Sequence, residues 1–139
     1  MHIRGLTTLL QVFDMPRSVA FYRDVLGFRV EMTSEPGVHY DWAMLKRGEI
    51  MLMLNTAFEA DERPSSPDPQ RAAAHADTVL YFLCSDADEA YAHLLARGCH
   101  ADEPVTTDYG MRQVSTRDLD GYELCFQHPV GYPAETVSN

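Results

Sequence analysis

The sequence predicts an α+β fold, a single domain assembled from two copies of a strand–helix–strand–strand–strand module. Three observations carry that expectation. The stretch Asp14-Met15-Pro16-Arg17-Ser18-Val19-Ala20-Phe21-Tyr22 is answered by Ser85-Asp86-Ala87-Asp88-Glu89-Ala90-Tyr91-Ala92-His93, and a glycine, Gly27 or Gly98, follows each opening residue by thirteen positions. Apolar runs precede both stretches, at residues 9–13 and 79–84. The last strands agree too, Leu52-Met53-Leu54-Asn55 matching Leu124-Cys125-Phe126-Gln127. A repeat of about seventy residues is too long for a solenoid unit and too short for two ordinary independent domains. The modules are expected at about residues 5–57 and 76–128, joined by a proline-rich connection at 58–75. Function is expected where the two copies face each other.

Each element has a local reason. Residues 6–13 form a strand, with Thr7, Leu9 and Gln11 on one face and Leu6, Thr8, Leu10 and Val12 on the other. Asp14 is a good N-cap and Pro16 suits a first helical turn, so a helix runs to about Leu26 and stops at Gly27. Strands follow at 28–33, 40–45 and 50–55, separated by turns at Glu35-Pro36-Gly37 and Lys46-Arg47-Gly48-Glu49. The segment from Glu59 to Pro69 holds three prolines and shows no periodicity. A flexible link and a flap over a pocket both fit such a connection. The second copy repeats the plan: a strand at 78–84, a helix at 87–96 capped by Ser85, and strands at 99–105, 111–117 and 122–127. Asp118-Leu119-Asp120-Gly121 makes the last turn, and the tail from residue 129 is expected to fray.

Composition excludes several classes. The chain has 139 residues, enough for one core, and its hydrophobic fraction of 45% is that of a folded protein. No run approaches the roughly 18–20 apolar residues of a membrane helix. The N-terminus has no long apolar stretch of a secretion signal, so a cytoplasmic protein is expected. The three cysteines, Cys84, Cys99 and Cys125, are odd in number and read as reduced thiols. A formal charge of −10 with a single lysine, Lys46, argues against nucleic acid as a partner. The first seventy residues carry 7 basic and 10 acidic groups and the remainder 4 and 11, so the second copy holds most of the excess.

Two segments resemble recurring motifs of one known group. They are Val12-Phe13-Asp14-Met15-Pro16-Arg17-Ser18-Val19-Ala20-Phe21-Tyr22-Arg23-Asp24-Val25-Leu26-Gly27-Phe28 and Asp118-Leu119-Asp120-Gly121-Tyr122-Glu123-Leu124. The group is the glyoxalase/bleomycin-resistance/dioxygenase, or vicinal oxygen chelate, superfamily, and the resemblance covers residues 6–129. Leu119 stands where the family's Asp-Pro-Asp-Gly turn has proline. The resemblance implies two βαβββ modules forming a cupped mixed sheet with helices outside, a cavity inside, and a homodimer. In the metal-using relatives a divalent ion is held by His, Glu or Gln from the first and last strand of each module. The motifs put those positions at Thr7, Met53, Val79 (or its neighbour Thr78) and Cys125. Hard and borderline ions want carboxylate, carbonyl or imidazole groups, so neither metal nor other cofactor is expected. Thioether and thiol suit copper(I), but Thr7 and Val79 offer nothing to complete that site.

If alternation holds, the cavity face collects Thr7, Leu9, Gln11, Met51, Met53, Val79, Tyr81, Glu123, Cys125 and Gln127, with Tyr40, Trp42 and Met44 from the third strand. Aromatics and methionines with a few polar groups suit a planar, partly apolar ligand, and they also suit a filled second core. Tyr109 and Arg112 are candidates for polar contacts at the rim, although an exposed ion pair is the simpler role for Arg112. None of the six histidines has metal-motif spacing, and each is read as a surface or hydrogen-bonded group. Cys125 reads as a wall residue, since no base or cation is placed beside it and Glu123 opposes thiolate formation. The preferred reading is metal-independent binding and sequestration of a small planar molecule, as in bleomycin-resistance proteins, with no catalytic residue assigned. The alternatives are a glyoxalase-like lyase, isomerase or dioxygenase using a non-standard metal site, and a structural dimer with a filled cup.

Overall fold

Polar caps followed by amphipathic turns start the helices of this chain, and period-two alternation builds its strands. The structure, a computed structural model, describes residues 1–131. The chain divides into two compact units, Met1–Asp68 and the chain from Pro69 onward.

In the first unit β1 (Thr8–Val12) leads into α1 (Met15–Ala20) and a π-helical turn (Phe21–Val25). Then come β2 (Arg29–Thr33), β3 (Trp42–Arg47) and β4 (Ile50–Thr56). The sheet order is β1-β4-β3-β2, with β1 parallel to β4 and the other pairs antiparallel. Asp14 caps α1, its carboxylate accepting from the Arg17 N–H at 3.1 Å. The sequence predicts one α-helix to Leu26, whereas the helix widens at Phe21. That widening coincides with edge-to-face pairs of Tyr22 with Phe21 and Phe28, at 5.2 and 6.1 Å between centroids. Gly27, at φ 77, closes the helix, with its N–H on the Arg23 carbonyl and that of Phe28 on the Tyr22 carbonyl. Leu10, Val12, Ala43, Leu45, Leu52 and Leu54 are buried on one face of the sheet, and Val19 and Tyr22 of the helical segment are buried with them.

The second unit repeats the topology: β5 (Val79–Leu83), α3 (Ala87–Ala96), β6 (Val105–Thr106), β7 (Met111–Arg117) and β8 (Glu123–Pro129), ordered β5-β8-β7-β6. The identical strand order is what an internal repeat requires. The helix cap is Asp86 and not Ser85; its carboxylate accepts from the N–H groups of Asp88 and Glu89 at 2.8 and 3.3 Å. The strand expected at 99–105 shrinks to two residues. The Cys99 N–H is taken by the Leu94 carbonyl, the His100 carbonyl accepts from the Thr116 hydroxyl, and Pro104 has no N–H to give. Strand β8 continues through Pro129, and the Val130 N–H bonds the Gly110 carbonyl, so fraying does not begin at residue 129. Residues 132–139 lie outside the described residues.

The connection contains structure that the sequence analysis did not expect. It ends in α2 (Pro69–Ala74) and a 3-10 turn (His75–Asp77). Proline at the start followed by Gln70, Arg71 and three alanines is good helix material, which explains the element. Among the described residues, no helix is long and apolar enough to cross a membrane.

Candidate functional site

Each sheet buries one face under a helix, and the opposite face keeps exposed side chains, Leu9 and Met51 on the first and Tyr81 and Leu83 on the second, beside a buried Cys125. On the first sheet the register pairs Leu9 with Met53, Gln11 with Asn55, Met44 with Met53 and Trp42 with Asn55. Leu9, Gln11, Trp42, Met44, Met51 and Met53 therefore share the face opposite Leu10, Leu45 and Leu54. Leu9 of the edge strand β1 keeps 40% of its surface in solvent, and Met51 of the interior strand β4 keeps 37%. Thr7 has the same parity, just before β1. The polar contribution is an amide pair, the Asn55 side-chain N–H donating to the Gln11 carbonyl oxygen at 3.5 Å.

On the second sheet Val79 lies opposite Glu123, Tyr81 opposite Cys125, and Cys125 opposite Ser115. Tyr81 is 60% exposed. Tyr109 joins this face through Gln113, whose amide donates to the Tyr109 hydroxyl at 3.0 Å and to the Gln127 oxygen at 2.8 Å. Desolvation raises the Tyr81 phenol above its ordinary range, with Cys125, Tyr109 and Glu123 adding to the effect. Burial likewise pushes the Cys125 thiol up; a hydrogen bond from Ser115 opposes this, and Glu123 and Cys84 reinforce it. A thiol so placed is a poor nucleophile at neutral pH.

Two candidates lie elsewhere. Arg112 pairs with His128, on the helix side of β7, and its guanidinium grips the Asp88 carboxylate of α3 at 2.7 and 2.8 Å. It is a strut between strand and helix and is absent from the open face. Tyr40 precedes β3, because the N–H groups of Asp41 and Trp42 turn to the Ser34 hydroxyl and delay the strand. It lines a cavity of about 450 Å³ at one end of the first unit, with Phe13, His39, Phe58 and Arg63. Sequence reasoning missed that cavity. Its outer wall is the start of the connection. Phe58 meets Phe13 edge-on at 6.2 Å, while Arg63 lies 4.5 Å over the Phe13 ring and binds Asp14 at 3.0 Å.

The family turn at Asp118–Gly121 is architectural. The Asp118 carboxylate accepts from the N–H groups of Asp120 and Tyr122 at 2.9 and 3.0 Å. Asp120, 2% exposed, pairs with Arg71 of α2 at 2.7 Å. His75 places Nδ1 2.7 Å from the Asp120 carbonyl and stacks on Tyr122 at 4.0 Å. His128 accepts the Ala87 N–H through Nδ1 at 2.9 Å. Both histidines are thus engaged in structure.

The positions at which the resemblance implies metal ligands carry a hydroxyl (Thr7), a thioether (Met53), an alkyl group (Val79, or the hydroxyl of its neighbour Thr78) and a thiol (Cys125). That donor set does not fit a hard or borderline divalent ion. Among the described residues, no three His, Cys, Asp or Glu side chains are grouped to hold a metal ion.

Comparison with known proteins adds an independent line. The model of the Glyoxalase/Bleomycin resistance protein/Dioxygenase superfamily matches residues 2–126. No curated protein matches the sequence. Among solved structures, the chain is similar to TnmS3, an antibiotic binding protein from Streptomyces sp. CB03234, at 24% identity and a TM-score of 0.67, covering 93% of this chain and 98% of that one. It is similar to TioX from Micromonospora sp. ML1 at 22% identity and a TM-score of 0.71, covering 91% and 98%. It is also similar to a bleomycin resistance determinant encoded on the transposon Tn5, at 21% identity and a TM-score of 0.66, again covering 91% and 98%.

Proposed function

Because the chain belongs to the glyoxalase/bleomycin resistance protein/dioxygenase superfamily, we propose that it binds a small, planar, partly apolar molecule and acts by sequestering it. One observation carries the reading: the open face of the first sheet offers Trp42, Leu9, Met44, Met51 and Met53 beside the Gln11–Asn55 amide pair. An aromatic ligand laid on that face exchanges water for ring and thioether contacts, and the amides orient its polar edge. The antibiotic-binding and bleomycin-resistance proteins of the same fold support the ligand class. The binding calls for no metal, since the donors at the relatives' ligand positions suit none of their ions. The suppressed Cys125 thiol favours binding over covalent chemistry.

The proposal includes a homodimer, whose second copy gives cover to side chains such as Tyr81, Leu83 and Val105, all at least 60% exposed. Three reduced thiols suit a cytoplasmic setting.

Thermal unfolding across a panel of planar antibiotics and metabolites tests the function. A true ligand at one hundred times its Kd stabilises by about 2.7 kcal/mol. The Trp42→Ala variant is expected to weaken binding by about 1–2 kcal/mol, roughly tenfold. Silence across a broad panel, or undiminished binding by Trp42→Ala, would count decisively against this reading.

A further inference from the structure

Four of the seven methionines, Met32, Met44, Met51 and Met53, belong to β2, β3 and β4 of the first sheet. Met44 lies opposite Met53 on one side and Met32 on the other, so three thioethers stand in one cross-strand row. Simple alternation does not produce that row. Val30 lies opposite the buried Leu45, and unbroken pairing would send Met32 to that same side of the sheet. A bulge between Val30 and Met32 inserts one residue and turns Met32 to the open face opposite Met44.

We propose that Met32, Met44 and Met53 form a binding site for a soft monovalent cation, copper(I). Side chains directly opposite on neighbouring strands have Cβ atoms about 4.5–5.5 Å apart. The thioether hangs on rotatable bonds, which gives the two outer sulfurs the freedom to reach inward over Met44 on binding. Neutral, polarisable sulfur donors select copper(I) over magnesium, calcium or zinc. Trp42 is two positions from Met44 on the same face, within reach to lay its ring against the ion. Lys46, opposite Met51, repels a cation from that end of the face and centres the site on Met44. Met32 is 59% exposed, which leaves an entry path. The chain's formal charge of −10 favours a cation in general. The inference does not rest on binding of an organic molecule.

The test uses the full chain with Cys84, Cys99 and Cys125 replaced by alanine, labelled at the methionine methyl carbons, and silver(I) as the air-stable probe. The Met32, Met44 and Met53 methyl signals are expected to shift together and saturate near one equivalent, while those of Met15 and Met111 stay put. Thioethers do not titrate, so affinity is expected to be flat from about pH 5.5 to about pH 8. Met44→Leu, nearly isosteric, is expected to weaken binding by about tenfold or more, as one of three soft donors is lost. Met53→Leu provides the same reading should Met44→Leu unfold. Equal shifts at Met15 or Met111, loss of all silver binding once the thiols are removed, or equal shifts with zinc would each overturn the assignment.

Discussion

Gly121 cannot carry a side chain without moving the backbone. Its φ is +87, and a Cβ there would run into the Ala72 carbonyl. Gly121→Ala is expected to lower stability by about 2–4 kcal/mol, the left-handed penalty and the clash together, read as a drop in urea midpoint. The neighbouring Asp120–Arg71 pair is buried on one side only, with side chains 2% and 19% exposed. A double-mutant cycle of Asp120→Ala and Arg71→Ala should return a coupling of about 1–3 kcal/mol, below that of a fully buried pair. A coupling near zero would show that this ion pair does not hold α2 to the turn. Cys125 tests its surroundings differently. With its thiol pushed up by burial, carboxamidomethylation followed by mass spectrometry should be slow at neutral pH and accelerate only above the ordinary thiol range. Rapid modification at neutral pH would contradict the desolvated environment.

At the level of elements, α3 depends on its start. Asp86 satisfies two N–H groups, so Asp86→Ala is expected to destabilise by about 1 kcal/mol. The helix is also pinned to β7 by Asp88 and Arg112. Hydrogen bonding from Arg112, with the attraction of its charge, lowers the Asp88 carboxyl below the usual range. A depressed folded-state value means that the pair stabilises fully above the unfolded carboxylate pKa. That contribution fades as pH falls through the lowered value. The Tm difference between the protein and Asp88→Asn should therefore shrink on going from about pH 7 to about pH 3, and salt should reduce it. Both partners are substantially exposed, at 54% and 30%, so the effect is modest. A difference that grows toward acid would reverse the assigned sign.

For the molecule as a whole, charge and exposed apolar surface pull in opposite directions. Each chain carries a formal charge of −10, which repels a second copy, while Tyr81, Leu83 and Val105 attract one. Sedimentation at about 0.05 M and about 0.5 M salt should show association holding or strengthening as repulsion is screened. Dissociation at high salt would mean that ion pairs, not apolar contacts, hold the assembly. Of the features that position the proposed site, the phase of β1 and β4 was legible, while that of β2 shifts at a bulge between Val30 and Met32. Leu10, Val12, Leu52 and Leu54 are buried while Leu9, Gln11 and Met53 face away, as period two requires. Tyr40 was misplaced because a serine hydroxyl delays its strand, and the ion pair preferred for Arg112 lacked a legible partner, a carboxylate twenty-four residues away.

By itself the sequence determined the repeat, the order of the strands and which side of β1 and β4 meets a helix, since caps, glycines and alternation act within a few residues. Only the tertiary structure decided that α2 docks on the turn at Asp118–Gly121, that a bulge aligns three methionines, and that Phe58 and Arg63 wall a cavity. Those outcomes belong to pairs of segments. A bulge is defined by its partner strand, and an ion pair spanning forty-nine residues has no local signal to read.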